Sequence, residues 1–210
     1  MQFLSIILLI LLIFAFLLDY RIQIVKKNAF QIINEMGIGY NLGHSFDCYN
    51  SSIEIKTPDE QITLYGNPLP TKELISNIKK NGFKTIRFPV TWINFIDDFG
   101  NVSSEWILRV KEVVKWIIGK KIFCILNIYN DGEEGNWLNK FSTNTKDKFI
   151  RLWSQIAEEF KDFNEYLIFE SMSKPLFHFG NEHFDYDYYS LYNISQAFVD
   201  TIRNSGNYNR

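Results

Sequence analysis

The stretch I122-F-C-I-L-N-I128 decides the fold. Six of its seven residues are apolar and they do not alternate with polar ones. A run this short and this continuous is a strand covered on both faces, which is the pattern of a parallel sheet with helices packed over it. The segments on either side agree. Residues 103–121 (SSEWILRVKEVVKWIIGKK) read as a helix opened by Ser103 or Ser104, with Trp106, Val110, Val113, Val114 and Ile117 on one face. Residues 144–162 (NTKDKFIRLWSQIAEEFKD) form a second amphipathic helix, and the apolar run at 166–169 (YLIF) follows it.

Working outward, GIGYNLG (37–43) is a short strand and TIRFPVTW (85–92) another, with Pro89 placing its end near a rim. Between them TKELISNIKKNG (71–82) is a helix capped by Thr71, striped by Leu74, Ile75 and Ile78, and closed by Asn81-Gly82. A last helix is predicted over 191–206, ended by Gly206. The order β-α-β-α-β-α-β-α calls for parallel strands joined by right-handed crossovers. A dinucleotide-binding sheet would need a glycine-rich phosphate turn after its first strand. That strand is followed instead by about 28 residues of loop, with neither GxGxxG nor GxxxxGK[ST] in it. Polar and aromatic residues gather after each strand: His44 and Asp47; Thr91, Trp92 and Asn94; Tyr129, Asn130 and Asp131; Ser173 and Lys174. Strand C-termini are where barrel enzymes keep their sites, so the reading is a TIM (β/α)8 barrel of which four β/α units are present.

Composition sets the frame for function. The 210 residues suffice for one domain with a real core, and 46% apolar residues exclude a disordered chain. A net charge of −2 excludes a nucleic-acid surface. Two cysteines make no disulfide framework, and Cys124, inside the apolar run, reads as a small core residue. Phe3–Leu18 is apolar except for Ser5, and precedes Arg21, Lys26 and Lys27. It reads as a hydrophobic helix serving as signal peptide or membrane anchor over residues 1–20, so the protein is expected to be secreted or membrane-anchored. Sequons at Asn50, Asn101 and Asn193 fit that route.

The blocks GYNLGHSFD, YGNPLPTKELISNIKKNGFKTIRFPVTW, ILNIYNDG, LWSQIAEEFKDFNEYLIFESMSKP and AFVDTIRNSG, in that order, resemble the N-terminal half of glycoside hydrolase family 5, the cellulase and endoglucanase barrels. The resemblance covers residues 36–210. It implies a barrel that hydrolyses β-1,4-glucan or a related polysaccharide with retention, needing no metal or cofactor. Retention needs two carboxyl groups roughly 5 Å apart, an acid/base and a nucleophile. The family's acid/base is the Glu of an Asn-Glu-Pro motif at the end of strand four. Aligned on Pro175, Ser173 stands at the Asn and Lys174 at the Glu. The His-His pair expected after strand three is Tyr129-Asn130, and His44 replaces the last Asn of the first-strand motif. Arg87, which in the family helps order the nucleophile, is retained. The nucleophile itself belongs to strand seven, beyond Arg210.

The expectation is therefore a truncated relative without catalytic activity, or a gene fragment. The alternatives are an active β-glucanase whose other half is supplied, and a membrane-anchored glycan-binding or interaction protein. Four barrel strands leave open edges, which calls for a complementary half-barrel or self-association. His44, Trp92, Tyr129, Asn130 and Trp137 are the candidate substrate-binding residues, with Phe177 a further aromatic at a strand end. His178, Asn181, His183, Asp185 and Asp187 crowd a loop, but their spacing fits no zinc pattern and no metal is expected.

Overall fold

The computed structural model describes residues 27–132, 136–138, 142–173 and 184–206. The chain divides into two compact units, Met1–Glu35 and Met36–Arg210. Of the first, the structure describes most of helix α1 (Ala29–Met36), which runs on to Met36. Its start is capped reciprocally: Asn28 Oδ1 accepts from the Gln31 N–H, and Gln31 Oε1 accepts from the Asn28 N–H. Among the described residues no helix is long and apolar enough to cross a membrane, and Phe3–Leu18 lies outside them.

In the second unit, strands β1 (Gly39–Asn41), β2 (Thr85–Phe88), β3 (Phe123–Asn127) and β4 (Leu167–Glu170) form one parallel sheet in sequence order. The connecting helices are α2 (Pro58–Thr63) and α3 (Lys72–Lys80), then α4 (Ser104–Ile118), then α5 (Thr143–Glu159), with α6 (Phe184–Asn204) after β4. This is the partial TIM barrel that the strand-helix alternation predicts.

Register explains the sheet's two faces. Ile86, Cys124 and Leu167 are paired across the strands, as are Phe88, Leu126 and Phe169, and all six are buried. Because side chains alternate along a strand, these two rows point together toward the helices. The alternate row, Asn41–Arg87–Ile125–Ile168, and the pair Asn127–Glu170 point the other way. On that opposite face Arg87, Ile125, Ile168 and Glu170 are only half-buried. The β3 run is thus covered fully on one face and partly on the other, a finer result than its continuous apolarity suggests.

The helices present the expected stripes. Trp106 of α4 stacks on Phe95 with ring centroids 4.5 Å apart and lies 5.2 Å from Phe46, which meets Phe88 edge-on. Trp153 of α5 meets Phe169 of β4 at 5.5 Å and Phe198 of α6 at 4.8 Å, so one indole joins three elements. Leu74, predicted on the α3 stripe, sits at its margin and is partly exposed, while Ile75 and Ile78 are buried.

Two elements differ from the sequence reading. The long loop after β1 contains α2, opened by a capping box in which Thr57 and Glu60 satisfy each other's backbone, with Pro58 in the first turn. Helix α6 begins at Phe184, not 191, so the backbone of Asp185 and Asp187 is helical and not part of a ligand-bearing loop. Its first turns carry Asp and Tyr in place of an apolar stripe, and periodicity shows only from Leu191, Ile194 and Phe198 onward.

Leu126 and Ile125 are neighbours on opposite faces. In the 210-residue chain, Leu126→Ala is expected to cost about 2–5 kcal/mol of unfolding free energy, and Ile125→Ala clearly less, in denaturant titrations.

Candidate active site

Backbone pairing continues past the strands and builds a rim at their C-terminal ends. The N–H groups of Thr91, Tyr129 and Ser173 donate to the carbonyls of Phe46, Val90 and Ile128 at 3.0, 2.8 and 2.7 Å. Gln61, buried on α2, stitches the first two loops together. Its amide nitrogen donates to the carbonyls of Phe46 (2.9 Å) and Thr91 (3.0 Å), and its oxygen accepts from Asn94 (2.9 Å). The T-P-D-E capping signature at 57–60 marks the helix that carries it.

On the open face of the sheet, Arg87 forms a bidentate pair with Glu170, Nε to Oε2 at 2.8 Å and Nη2 to Oε1 at 2.5 Å. The pair bridges β2 and β4 across β3, and the Arg87 guanidinium lies 5.7 Å from the Tyr129 ring centroid. The hydrogen bond to Glu170 raises the Arg87 pKa above its ordinary value. Both Glu170 oxygens accept from the guanidinium.

Asp131 governs the rim after β3. It is fully buried; Oδ2 accepts from the Trp92 N–H at 2.8 Å and Oδ1 from Trp137 Nε1 at 2.7 Å. Burial pushes its pKa up to about 6, against the opposing pull of those two donors and of Lys148. Lys148 lies over the Trp137 ring, 5.2 Å from its centroid.

The candidate binding residues separate into two groups. Tyr129 and Trp137 are half-exposed at the rim and can offer a ring face. His44 is exposed with a left-handed φ of 56°, its ring edge-on to Tyr65 at 5.7 Å. Trp92, by contrast, is fully buried, and its indole nitrogen donates to the Asn127 carbonyl at 3.1 Å. It is a core residue with no face for a sugar, a correction to the expectation drawn from its place after β2. Asn130 is also buried; its amide donates to the Asp47 carbonyl at 2.5 Å and its own carbonyl accepts from Asn136 at 2.6 Å, so it holds the loops together. Ser173 is buried at the end of β4, while Lys174, Phe177, His178, Asn181 and His183 lie outside the described residues. Both cysteines are buried and free; burial pushes the Cys48 thiol up to about 12 and that of Cys124 higher still, as suits inert core thiols.

The family model for cellulase (glycosyl hydrolase family 5) matches residues 43–210. Endoglucanase A of Clostridium longisporum is 42% identical over 154 residues, 71% of this chain and 29% of that protein. Endoglucanase A of Paenibacillus barcinonensis is 38% identical over 190 residues, 86% of this chain and 46% of that protein. Among solved structures, a GH5-4 broad specificity endoglucanase from an uncultured bovine rumen ciliate superposes with a TM-score of 0.81 at 51% identity, covering 86% of this chain and 50% of that one. The chain therefore spans half or less of each of these relatives.

The Asp131 carboxyl predicts a pH dependence. Its folded pKa lies above the unfolded value, so the folded state holds the proton more tightly. Its favourable contribution is complete below about pH 4 and is lost as pH rises through about 6. Between those limits Asp131→Asn should show a flatter stability profile than wild type in chemical unfolding, the difference reaching up to ~3 kcal/mol.

Proposed function

This chain belongs to glycosyl hydrolase family 5, and on that premise we propose that it holds β-glucan or a related polysaccharide along its strand-end rim without hydrolysing it. One observation carries the reading: in the sequence Lys174 follows Ser173 and precedes Pro175, where the resemblance aligns the family's acid/base glutamic acid. A lysine ammonium with an ordinary pKa of about 10.4 is a poor donor to a glycosidic oxygen near neutral pH. Its positive charge also opposes an oxocarbenium-like transition state. Glu170 does not substitute, because Arg87 occupies both of its oxygens.

Binding draws on different groups. Tyr129 and Trp137 are half-exposed at the rim, each with a cation over its ring, and a hold by them on a sugar would not require a carboxylic acid at position 174. The names of the relatives, all endoglucanases, support a β-glucan as the ligand. The apolar run Phe3–Leu18 supports a secreted or membrane-anchored location.

Wild-type protein and Lys174→Ala should both be retarded in gels containing soluble β-1,4-glucan, and neither should release reducing ends from it. Reducing ends released by wild type and lost in Lys174→Ala would overturn the loss of catalysis. Unretarded migration of wild type would overturn glucan binding.

A further inference from the structure

The loop after β2 does more than connect it to α4. Ile96 and Val102 form an antiparallel bridge, and the turn between them is tied by Asp97, whose carboxylate accepts from the N–H groups of Phe99 (2.9 Å) and Asn101 (2.8 Å) and from the Asn101 amide (2.7 Å). These hydrogen bonds lower the Asp97 pKa. The hairpin is clamped onto α5 by Gln155, which accepts from the Val102 N–H at 3.0 Å and donates to the Gly100 carbonyl at 2.8 Å. The approach is close. A Cβ at Gly100, where φ is +86°, would fall 2.8 Å from the Lys148 carbonyl oxygen.

Between this docked hairpin and the first half of α5 lies a cavity of about 360 Å³, lined by Asp98, Phe99, Asn144, Asp147, Lys148 and Arg151. That volume falls within the range of small-ligand sites. Phe99 is 73% exposed and its backbone N–H is held by Asp97, so its ring is presented to solvent at the cavity. The side chains of Asp98, Asp147 and Arg151 have no ion-pair or hydrogen-bond partner among the described residues. Two carboxylates balance two cations, which favours neither an anion nor a metal ion. An uncharged ligand rich in hydroxyl groups, with one apolar face, matches what remains: carboxylates accept hydroxyl protons, the guanidinium donates to hydroxyl oxygens, and Phe99 stacks.

We propose that this cavity is a second saccharide-binding site, outside the rim cleft, that takes a neutral pyranose unit against Phe99 with Asp98, Asp147 and Arg151 on its hydroxyl groups. Lys148 separates it from Trp137. The site follows from its own lining and does not require the cleft to bind glucan. Because the hairpin backbone is held by Gln155 and Asp97, binding has only the lining side chains left to order.

Calorimetric titration with cellotetraose, xylotetraose and mannotetraose tests this, using wild type, Phe99→Ala, Arg151→Ala and Trp137→Ala. Phe99→Ala and Arg151→Ala should each weaken one binding event about tenfold with an unchanged melting temperature, and Trp137→Ala should leave that event intact. A single event lost in Phe99→Ala would uphold the second site while sinking glucan binding in the cleft. Wild-type affinity in both Phe99→Ala and Arg151→Ala, or no binding of any of the three tetrasaccharides to wild type, would overturn the proposal.

Discussion

Everything in the second unit depends on the period-two alternation of four short parallel strands. It sends Ile86, Cys124, Leu167, Phe88, Leu126 and Phe169 under the helices, where each is buried. Burying a large apolar side chain is worth about 1.5–3 kcal/mol, so a slip by one residue would forfeit most of the core's drive. The same alternation puts Arg87 and Glu170 on the opposite face, where their charges stay half-hydrated. Core and polar site are thus one constraint seen from two sides, and neither can move without the other.

The rim is a second layer built on that sheet, and it is held by buried polar groups. Gln61, Asp131 and Asn130 each accept or donate between loops that follow different strands. A buried polar group without a partner is costly, so each of these fixes the loops to one arrangement instead of merely tolerating it. Asp131 does this at a cost, since its burial works against its own ionisation. The indole of Trp92, tied to the Asn127 carbonyl, converts what reads as an exposed aromatic into part of the support.

What the sequence disclosed and what it hid follow from range. IFCILNI and YLIF announce strands because continuous apolar runs are local signals, and the parallel order follows from alternation with helices. The four-unit barrel portion was legible on those grounds, and so was its polar rim as a location. Helix α2 carries a local capping signature but lacks an apolar stripe long enough to stand out beside it. The first turns of α6 have no stripe, so tertiary packing extends a helix whose periodicity begins only at Leu191. The burial of Trp92 and the pairing of Arg87 with Glu170, 83 residues apart, are set by the register of separate strands. No local pattern carries that information.

The ion pair on the open face also bears on the proposed loss of catalysis. Arg87 and Glu170 neutralise each other on the open face, so the pair contributes little net field beyond its own surroundings. A glutamic acid at the end of β4 would then be the group that sets the local charge, shifting between neutral and negative as it gives and takes a proton. A lysine there would bring a basic group in place of an acid. Against a developing positive charge on a sugar ring that is a change of sign as well as of proton affinity. Hydroxyl groups of a bound sugar accept hydrogen bonds from an ammonium as readily as from other donors. On the proposed reading, a lysine in place of the acid/base therefore penalises the transition state far more than it penalises a bound glycan.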